Sequence, residues 1–388
     1  MVIEAGEHAL KSRFDDADWP FEPLPMFEWL APLAWPSAAL EIEAGRSPKL
    51  WVVEQDSYWE KPPDGAWELL EAGLEVVRGV QAADIAARQA LPRTIVISER
   101  GAKEEAPSSF IDQLNGLRLR KSAFEVACLD HASEVAARGH KAAESAFRSG
   151  ERSELMLHLA YLRAAELDDS QCPYRSIVAL GPSGAVLHHV QRDVRPNARS
   201  FLLDAGGRHL AWCSDVTRTH VVAGDDLASV TFASLIEAMD RLQLQVVSEI
   251  RRGVDFEALH DSAHHKLGVL LHEAGLVTCS AEESVEAGIT RAFFPHGLGH
   301  HLGVQVHDVG GKPRPPRADN PFLRNTRAVE VGHVMTIEPG LYVIDALLEP
   351  HRASGAPVDW RLVDELRPFG GIRIEDDVLM DGEATAAS

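Results

Sequence analysis

The spacing of hydrophobic residues predicts a chain in two parts. The first part contains two short β-prone apolar runs and one helical pattern, at Leu50–Val53, Thr94–Ser98 and Trp67–Val77. This mixture is typical of a small α/β unit, and a polar stretch from Gly101 to Ser109 follows it. We therefore expect an N-terminal domain over residues 1–117 and a second domain over residues 118–388.

The second part alternates between blocks of helices and blocks of strands. Apolar residues spaced three and four apart predict helices at Ala123–Phe147, Leu155–Leu167, Asp225–Arg251 and Phe256–Ala274. Short apolar runs predict strands at Ile177–Leu180, Val186–Val190, Phe201–Asp204, His209–Val222, Val334–Glu338 and Ile372–Leu379. Ser280 with Glu283 forms a capping box for a further short helix. Because strands and helices are segregated, this domain is predicted to be α+β.

The composition indicates a globular protein and excludes several kinds of partner. The 388 residues carry 38 Lys and Arg against 59 Asp and Glu, a net charge of −21, and 45% are hydrophobic. The acidic surplus would repel phosphate backbones and anionic headgroups, so nucleic acid and membranes are not expected as partners. The chain lacks a run of about 20 apolar residues, its start lacks the order of a signal peptide, and its four cysteines form no CxxC pair. We expect a cytoplasmic protein with reduced thiols.

Asp204 and Asp215 lie on either side of a predicted chain reversal. If the turn is centred near His209 and Leu210, the two carboxylates face each other as cross-strand neighbours. Like charges this close are destabilising unless a cation lies between them. A competing turn at Gly206–Gly207 would place Asp204 near His209 instead, so the spacing permits a metal site without requiring one.

A glycine-rich segment, residues 294–311, contains four of the 18 histidines: His296, His300, His301 and His307. Its glycines argue against a helical HxxxH zinc motif, which needs both imidazoles on one helical face. We interpret the segment as irregular backbone that approaches a ligand closely.

Carboxylates also occur on the two strands predicted near the C-terminus. Glu338 precedes Pro339, which ends its strand. Strand alternation puts Arg373 and Glu375 on one face. A carboxylate buried there needs a partner, either Arg373 or a metal ion.

Together these residues form a consistent ligand set. Two Asp, one His and two Glu offer mostly oxygen atoms, which suit a pair of divalent ions such as Mn²⁺ better than a thiolate site would. Two ions about 3.5 to 4 Å apart can hold a bridging water and polarise a carbonyl. The set predicts hydrolysis without a covalent intermediate.

Five motifs follow one another along the second domain: Asp-Ala-Gly with Ser-Asp-Val-Thr-Arg-Thr, Pro-His-Gly-Leu-Gly-His, Val-His-Asp-Val-Gly-Gly, Thr-Ile-Glu-Pro-Gly and Phe-Gly-Gly-Ile-Arg-Ile-Glu-Asp. With these motifs the sequence resembles the metal-dependent pita-bread peptidases, and within them the bacterial proline dipeptidases (prolidases). The similarity runs from the loop Phe14–Phe21 to Asp376. It implies a C-terminal pita-bread domain, preceded by a small domain that serves dimerisation and the pocket edge.

The resemblance implies roles for individual residues. The metal ligands would be Asp204, Asp215, His300, Glu338 and Glu375. Asp215 and Glu375 would bridge two divalent ions, most readily Mn²⁺, with Co²⁺ or Zn²⁺ as alternatives. A metal-bridging hydroxide would attack the peptide, and Glu338 would carry the proton to the leaving proline nitrogen. His296 would steady the substrate carbonyl, and His307 matches a second active-site histidine.

The resemblance also implies a substrate pocket formed by His188, Arg324 and Arg373. Arg324 would grip the C-terminal carboxylate of a dipeptide, for which the planar guanidinium is a two-pronged donor. Trp59 would lie near the pocket. The chain departs from the family at His189, where the family has a tyrosine that assists near the metals. It also begins, at Met1, level with the family's first strand, so we expect the preceding helix to be absent.

The implied activity is hydrolysis of Xaa-Pro dipeptides by a homodimer. Aminopeptidase P shares the metal site but accepts longer peptides, and an organophosphate-hydrolysing relative is a further alternative. Other pita-bread proteins are binding modules or creatinase-like enzymes that act without metal. The intact ligands, Arg324 and the small N-terminal domain favour the dipeptidase.

Overall fold

The computed structural model describes residues 1–14, 17–53, 65–98, 106–382 and 384–387. They divide into two compact units, Met1–Arg118 and Leu119–Ser388. Trp59, most of the predicted turn at 61–65 and the beginning of the polar stretch after Gly101 lie outside the described residues.

The first unit is built on a five-stranded mixed sheet. Its elements are β1 (Val2–Glu4), α1 (Pro25–Leu30), β2 (Ala39–Glu41), β3 (Lys49–Val53), α2 (Trp67–Gly73), β4 (Glu75–Val80), α3 (Ala82–Gln89), β5 (Val96–Ile97) and α4 (Ser108–Leu119). The strand order is β4-β3-β2-β1-β5. Alternate strand residues such as Ile3, Leu40 and Leu50 pack with Phe27 of α1 and Leu70 of α2 into one core.

One predicted helix of this unit is only half right. The pattern from Trp67 to Val77 predicts a single helix, but the helix ends at Gly73 and the chain continues as β4. Strand β4 pairs in parallel with β3, and Val76 lies opposite Leu50. The β-branched pair Val76-Val77 favours a strand, and pairing with β3 decides against the helical spacing.

The second unit carries the long helices and four small sheets. Its helices are α5 (Ala123–Arg148), α6 (Glu154–Ala165), α7 (Leu227–Glu249), α8 (Phe256–Glu273), α9 (Ala281–Glu286), α10 (Ile289–Phe293), α11 (Asp345–Ala353) and α12 (Trp360–Leu366). Its strands are β6 (Ile177–Leu180), β7 (Ser200–Asp204), β8 (Arg208–His209), β9 (Trp212–Cys213), β10 (Thr217–Val221), β11 (Val334–Ile337), β12 (Gly340–Tyr342), β13 (Gly371–Arg373), β14 (Asp376–Asp381) and β15 (Ala384–Ala387). The sheets have the orders β10-β7-β6, β11-β14-β15, β12-β13 and β8-β9.

The α+β prediction for this unit is confirmed, and its four long helices begin and end within a few residues of the predicted bounds. The capping box at Ser280 and Glu283 opens α9 as predicted. The core lies between α7 and α8 on one side and the strands β11 to β14 on the other, and it includes Met239, Leu271 and Ile337.

Three predicted strands of this unit are wrong in detail. Residues 186–190 form no strand, because a 3₁₀ turn at Gly181–Ala185 precedes them. The Val186 amide donates to the Ser183 carbonyl in that turn, and the His189 amide donates to the Val186 carbonyl. The stretch 209–222 is interrupted between β9 and β10, and 372–379 is interrupted at Glu375. Both interruptions fall at candidate ligands.

Among the described residues, no helix combines the length and hydrophobicity that crossing a membrane requires.

Candidate metal centre and active site

Asp204 ends strand β7 and lies opposite Thr217 of β10. The turn falls at Leu210 and Ala211, one residue later than predicted, and Leu210 adopts a left-handed backbone with φ of 54° that is uncommon outside glycine. The expected direct pairing of Asp204 with Asp215 is therefore wrong. Asp215 lies two residues before Thr217, so it is the diagonal neighbour of Asp204 on the same face.

Glycine at position 206 lets the two arms of this hairpin come close, because a Cβ there would lie 1.8 Å from the carbonyl oxygen of Ser214. The Asp215 amide donates to the carboxylate of Asp377, at 3.1 and 3.3 Å. Asp377 is a buried carboxylate that the sequence did not single out. It fixes the backbone at Asp215 where the strand pattern is interrupted.

His300 is positioned by an irregular pairing with strand β11. The His300 carbonyl accepts from the Thr336 amide at 2.9 Å, and the Glu338 amide donates to Leu298 at 2.8 Å. A Cβ at Gly299 would lie 1.9 Å from the Thr336 carbonyl oxygen, so only glycine allows this approach. The glycine-rich segment thus brings His300 beside Glu338.

Glu375 lies between β13 and β14, where an isolated bridge joins it to Thr217. The Thr217 hydroxyl donates to the Glu375 carboxylate at 2.6 Å and accepts from Nε of Arg373 at 3.2 Å. Arg373 and Glu375 therefore reach the same side, as strand alternation predicted. The guanidinium of Arg373 pairs with Asp204, at 2.5 Å, which leaves Glu375 available to another partner.

Three of the five predicted ligands converge. Asp215, His300 and Glu375 are buried, and each offers a ligand atom within 4.8 Å of the other two. His300 Nε2 lies 3.4 Å from the Asp215 carboxylate and 3.8 Å from that of Glu338. Asp204 borders the group, and its Oδ1 is buried with no hydrogen-bond partner among the described residues.

A chain of polar contacts leads away from Asp204. Arg373 bonds Asp204 through one nitrogen and the Tyr342 hydroxyl through another, at 3.0 Å. That hydroxyl also shares a hydrogen bond with His296 Nε2 at 2.8 Å, and His296 Nδ1 lies 3.5 Å from Glu338. Tyr342 was missed by the sequence reasoning. It lies on β12, four residues after Glu338. The sequence signal for it is strand alternation: if the alternation of side chains continues past Pro339, residues 338 and 342 lie on the same face.

Tyr174 is a second residue that the sequence reasoning missed. Its hydroxyl donates to the Asp215 carboxylate at 2.5 Å. The residue precedes β6 and carries no periodic signal. His189, in contrast, pairs with Glu154 at 2.8 Å. The phenol that contacts a candidate ligand therefore comes from Tyr174, and the expectation that position 189 acts at the metals is not met.

The remaining predicted residues differ in their surroundings. His307 packs edge-on against His300, with ring centroids 4.4 Å apart. His188 is exposed, and it is one of the groups that lower the pKa of both His296 and His307. Arg324 is also exposed and makes no ion pair with any residue in the described part of the chain.

The electrostatics show an excess of buried negative charge. Burial raises the pKa of Glu338 to about 7 and raises the pKa values of Asp204 and Glu375, despite the opposing charge of Arg373. Burial lowers the pKa of His300, but the hydrogen bond and charge of Asp215 outweigh it and the net shift is upward. Partial burial and the charges of His300 and Arg324 lower the pKa of His307 to about 4.

These observations fit divalent cations. The buried carboxylates have too few cationic partners of their own, and Oδ1 of Asp204 is unpaired within the described residues. Oxygen ligands with a single imidazole form a donor set that suits Mn²⁺, Zn²⁺ or Co²⁺. The candidate ligands at the ends of these strands thus form a site that can hold metal ions.

Comparisons with known proteins identify the class. Residues 127–381 match metallopeptidase family M24, and residues 1–115 match the N-terminal domain of Xaa-Pro dipeptidases. A Xaa-Pro dipeptidase of Marinobacter nauticus is 37% identical over 98% of this chain and 90% of its own. One of Xanthomonas campestris is 39% identical over 94% of this chain and 86% of its own. The chain is a metallopeptidase of family M24 and belongs, within that family, to the Xaa-Pro dipeptidases.

Solved structures agree on the fold. Proline aminopeptidase P II from Yersinia pestis aligns with a TM-score of 0.77 and 24% identity, over 100% of this chain and 90% of that one. Zinc-substituted Escherichia coli aminopeptidase P aligns with a TM-score of 0.75 and 22% identity, over 100% and 90%. The predicted pita-bread fold of the second domain is confirmed.

Proposed function

We propose that this protein hydrolyses Xaa-Pro dipeptides with the help of two divalent metal ions. Two observations carry the proposal: the buried group of Asp215, His300 and Glu375, and an exposed Arg324 that makes no ion pair among the described residues. The first feature supports metal-assisted hydrolysis. The second supports a substrate that ends in a carboxylate.

The metal ions would be held by Asp204, Asp215, His300, Glu338 and Glu375. When bound, they supply Lewis acidity, which lowers the pKa of a water molecule and polarises a carbonyl. We favour Mn²⁺ because four of the five ligands are carboxylates.

Glu338 is proposed to accept the proton of the attacking water and to pass it to the proline nitrogen. The leaving group is a secondary amine, which departs readily only once protonated. His296 lies on the same side, 3.5 Å from Glu338, and its ring is oriented by the Tyr342 hydroxyl. Burial lowers the pKa of His296 to about 3. The single N–H of this neutral imidazole lies at Nδ1, 2.9 Å from the carbonyl oxygen of Gly297, while Nε2 accepts from the Tyr342 hydroxyl. We propose that His296, with its ring held by these two contacts, steadies the substrate carbonyl.

Arg324, His188 and His307 are proposed to bind the substrate at the mouth of the site. A guanidinium recognises a carboxylate through two parallel hydrogen bonds. A longer peptide has no carboxylate at this position, so Arg324 would select dipeptides. Arg373, which we also expected to bind substrate, is buried against Asp204 and Tyr342. We propose that it acts by holding these two side chains.

The test compares Ala-Pro with Ala-Pro-Ala, using protein stripped by a chelator and protein resupplied with Mn²⁺. We expect release of proline from Ala-Pro only after Mn²⁺ is added, and at least tenfold weaker cleavage of the tripeptide. Preference for the tripeptide would instead support an aminopeptidase P activity. Turnover that survives chelation would reject the metal mechanism. The homodimer stays a prediction of the resemblance, and the cytoplasmic location stays a prediction of the N-terminal sequence and the cysteine spacing.

A further inference from the structure

A buried carboxylate ties together the two ends of the loop that carries His188. We call residues 181–193 the His188 loop. Glu154, the first residue of α6, is 0% exposed. Its Oε1 accepts from the Leu180 amide at 2.9 Å, and its Oε2 accepts from the Asp193 amide at 2.7 Å. The Glu154 amide in turn donates to the Asp193 carbonyl at 2.9 Å.

His189 supplies a third contact from the middle of the same loop. Its Nε2 lies 2.8 Å from Oε2 of Glu154, and the residue is buried. The next residue toward the N-terminus, His188, is exposed. It is one of the groups that lower the pKa of His296 and His307 at the candidate site. One histidine thus anchors the loop from inside, and its neighbour is exposed.

We propose that Glu154 and His189 form a positioning pair that sets the place of His188 in the substrate pocket. The inference rests on the proposed function, because that function assigns His188 to the pocket. A fully buried carboxylate is tolerated only when it is hydrogen-bonded, and the N-terminus of α6 adds a favourable dipole. Any shift of the loop breaks at least one charge-assisted bond, so a single loop position is favoured.

The same atoms resemble a second metal site, since Glu154, His189 and Asp193 offer ligand atoms within 4.8 Å of one another. Both carboxylate oxygens of Glu154 already accept N–H donors, however. A metal ion would have to displace them. The hydrogen-bonded pair accounts for the geometry without an ion.

The first test does not depend on activity. His189→Phe removes the donor, His189→Gln keeps an N–H at a similar distance, and Glu154→Gln places an amide N–H against at least one donor. We expect amide hydrogen exchange in residues 181–194 to be about tenfold faster in His189→Phe and Glu154→Gln. The glutamine at 189 should keep it near the unsubstituted rate. Unchanged exchange in His189→Phe would overturn the anchor.

The second test is a double-mutant cycle with His188→Ala, using kcat and KM for Ala-Pro. His189→Phe alone should raise KM about three- to tenfold with kcat changed less than twofold. If the pair acts through His188, this effect should disappear in the His188→Ala background. An effect that persists there would overturn the proposal. If the unsubstituted protein cleaves no Xaa-Pro peptide, the proposed function fails, while the exchange result still decides whether the anchor exists.

His158 provides a matched control on the same helix. Its Nε2 lies 2.7 Å from the carboxylate of Asp169, and among the described residues its side chain makes no hydrogen bond to the His188 loop. His158→Phe should leave exchange in residues 181–194 and the KM unchanged. The same changes in this variant would indicate a general loss of stability and contradict a specific role for His189.

Discussion

The proposed metal ligands and the proposed substrate-binding residues of this protein are held in different ways. Asp204, Asp215 and Glu375 lie at strand ends, where backbone pairing and neighbouring hydroxyl and amide groups fix them. The residues at the mouth lie on loops, which lack a regular ladder of backbone hydrogen bonds.

Buried charged side chains anchor those loops instead. Glu154 holds the loop of His188, Glu257 holds the segment before Arg324, and an ion pair of Lys121 with Asp308, at 2.9 Å, ties down the residue after His307. Two of these carboxylates, Glu154 and Glu257, lie at the beginning of a helix, where the dipole favours negative charge.

This difference has a functional consequence. Ligands fixed by paired backbone keep one geometry, as chemistry at a metal requires. Residues on loops held by a few side chains can change with little effect on the fold. We therefore expect substitutions at the strand ends to abolish metal binding and substitutions in the loops to alter substrate selection.

The largest effect should come from Asp215→Asn or Glu375→Gln. Removing one charge from a buried group of opposite charges costs about 3 to 5 kcal/mol, so metal affinity should fall about 10²- to 4 × 10³-fold. Metal content by mass spectrometry and proline release measure this. Asp381→Asn, an exposed carboxylate at the end of β14, is the control and should bind metal normally. Full metal content in Glu375→Gln would contradict the assignment.

Arg324→Ala should have the next largest effect and should leave metal binding intact. Hydrogen bonds to a charged group contribute about 1.5 to 3 kcal/mol, so kcat/KM for Ala-Pro should fall about 10- to 100-fold. Cleavage of Ala-Pro-Ala should hardly change, because the tripeptide has no carboxylate there. Arg361→Ala, exposed on α12, serves as the matched control. Equal losses on both peptides would show that Arg324 does not read the carboxylate.

Glu257→Gln tests whether the loops are indeed anchored by buried carboxylates. Glu257 is 1% exposed and accepts from Arg314 at 2.6 Å, from the Arg317 amide at 2.9 Å and from Asn320 at 3.3 Å. The substitution should raise the KM for Ala-Pro roughly tenfold and change kcat little, since Arg324 follows this segment. Glu273→Gln, exposed on the same helix, should have no effect. A loss confined to kcat would place the defect elsewhere.

The smallest effect concerns acid stability. Burial lowers the pKa of His264 to about 2, and the charge of His260 adds to the shift. The unfolded chain binds a proton at this residue near pH 6.5 while the folded chain does not, so folding stability is full above pH 6.5 and declines as the pH falls toward 2. His264→Phe should reduce the slope of the unfolding free energy between pH 6 and 4 by up to about 1.4 kcal/mol per pH unit. Urea unfolding at several pH values measures it, and an unchanged slope would mean that His264 is already protonated in the folded protein.

Much of the architecture follows from local patterns. The long helices and the short helix α9 were predictable because apolar spacing and caps such as Ser280 act within a few residues. The helix predicted over Trp67–Val77 failed because the chain beyond Gly73 pairs with a distant strand. Short-range patterns carry no information about such a partner.

The site divides in the same way. The sequence alone determined which residue types could bind metal. Its motifs singled out Asp215, His300 and Glu375, whose ligand atoms lie within 4.8 Å of one another in the structure. The tertiary structure decided the register of Asp204, because the turn depends on the left-handed backbone at Leu210. It also decided that Tyr174 contacts Asp215, since that contact joins residues 41 positions apart. Burial and long-range pairing set these partners, and neither can be derived from neighbours along the chain.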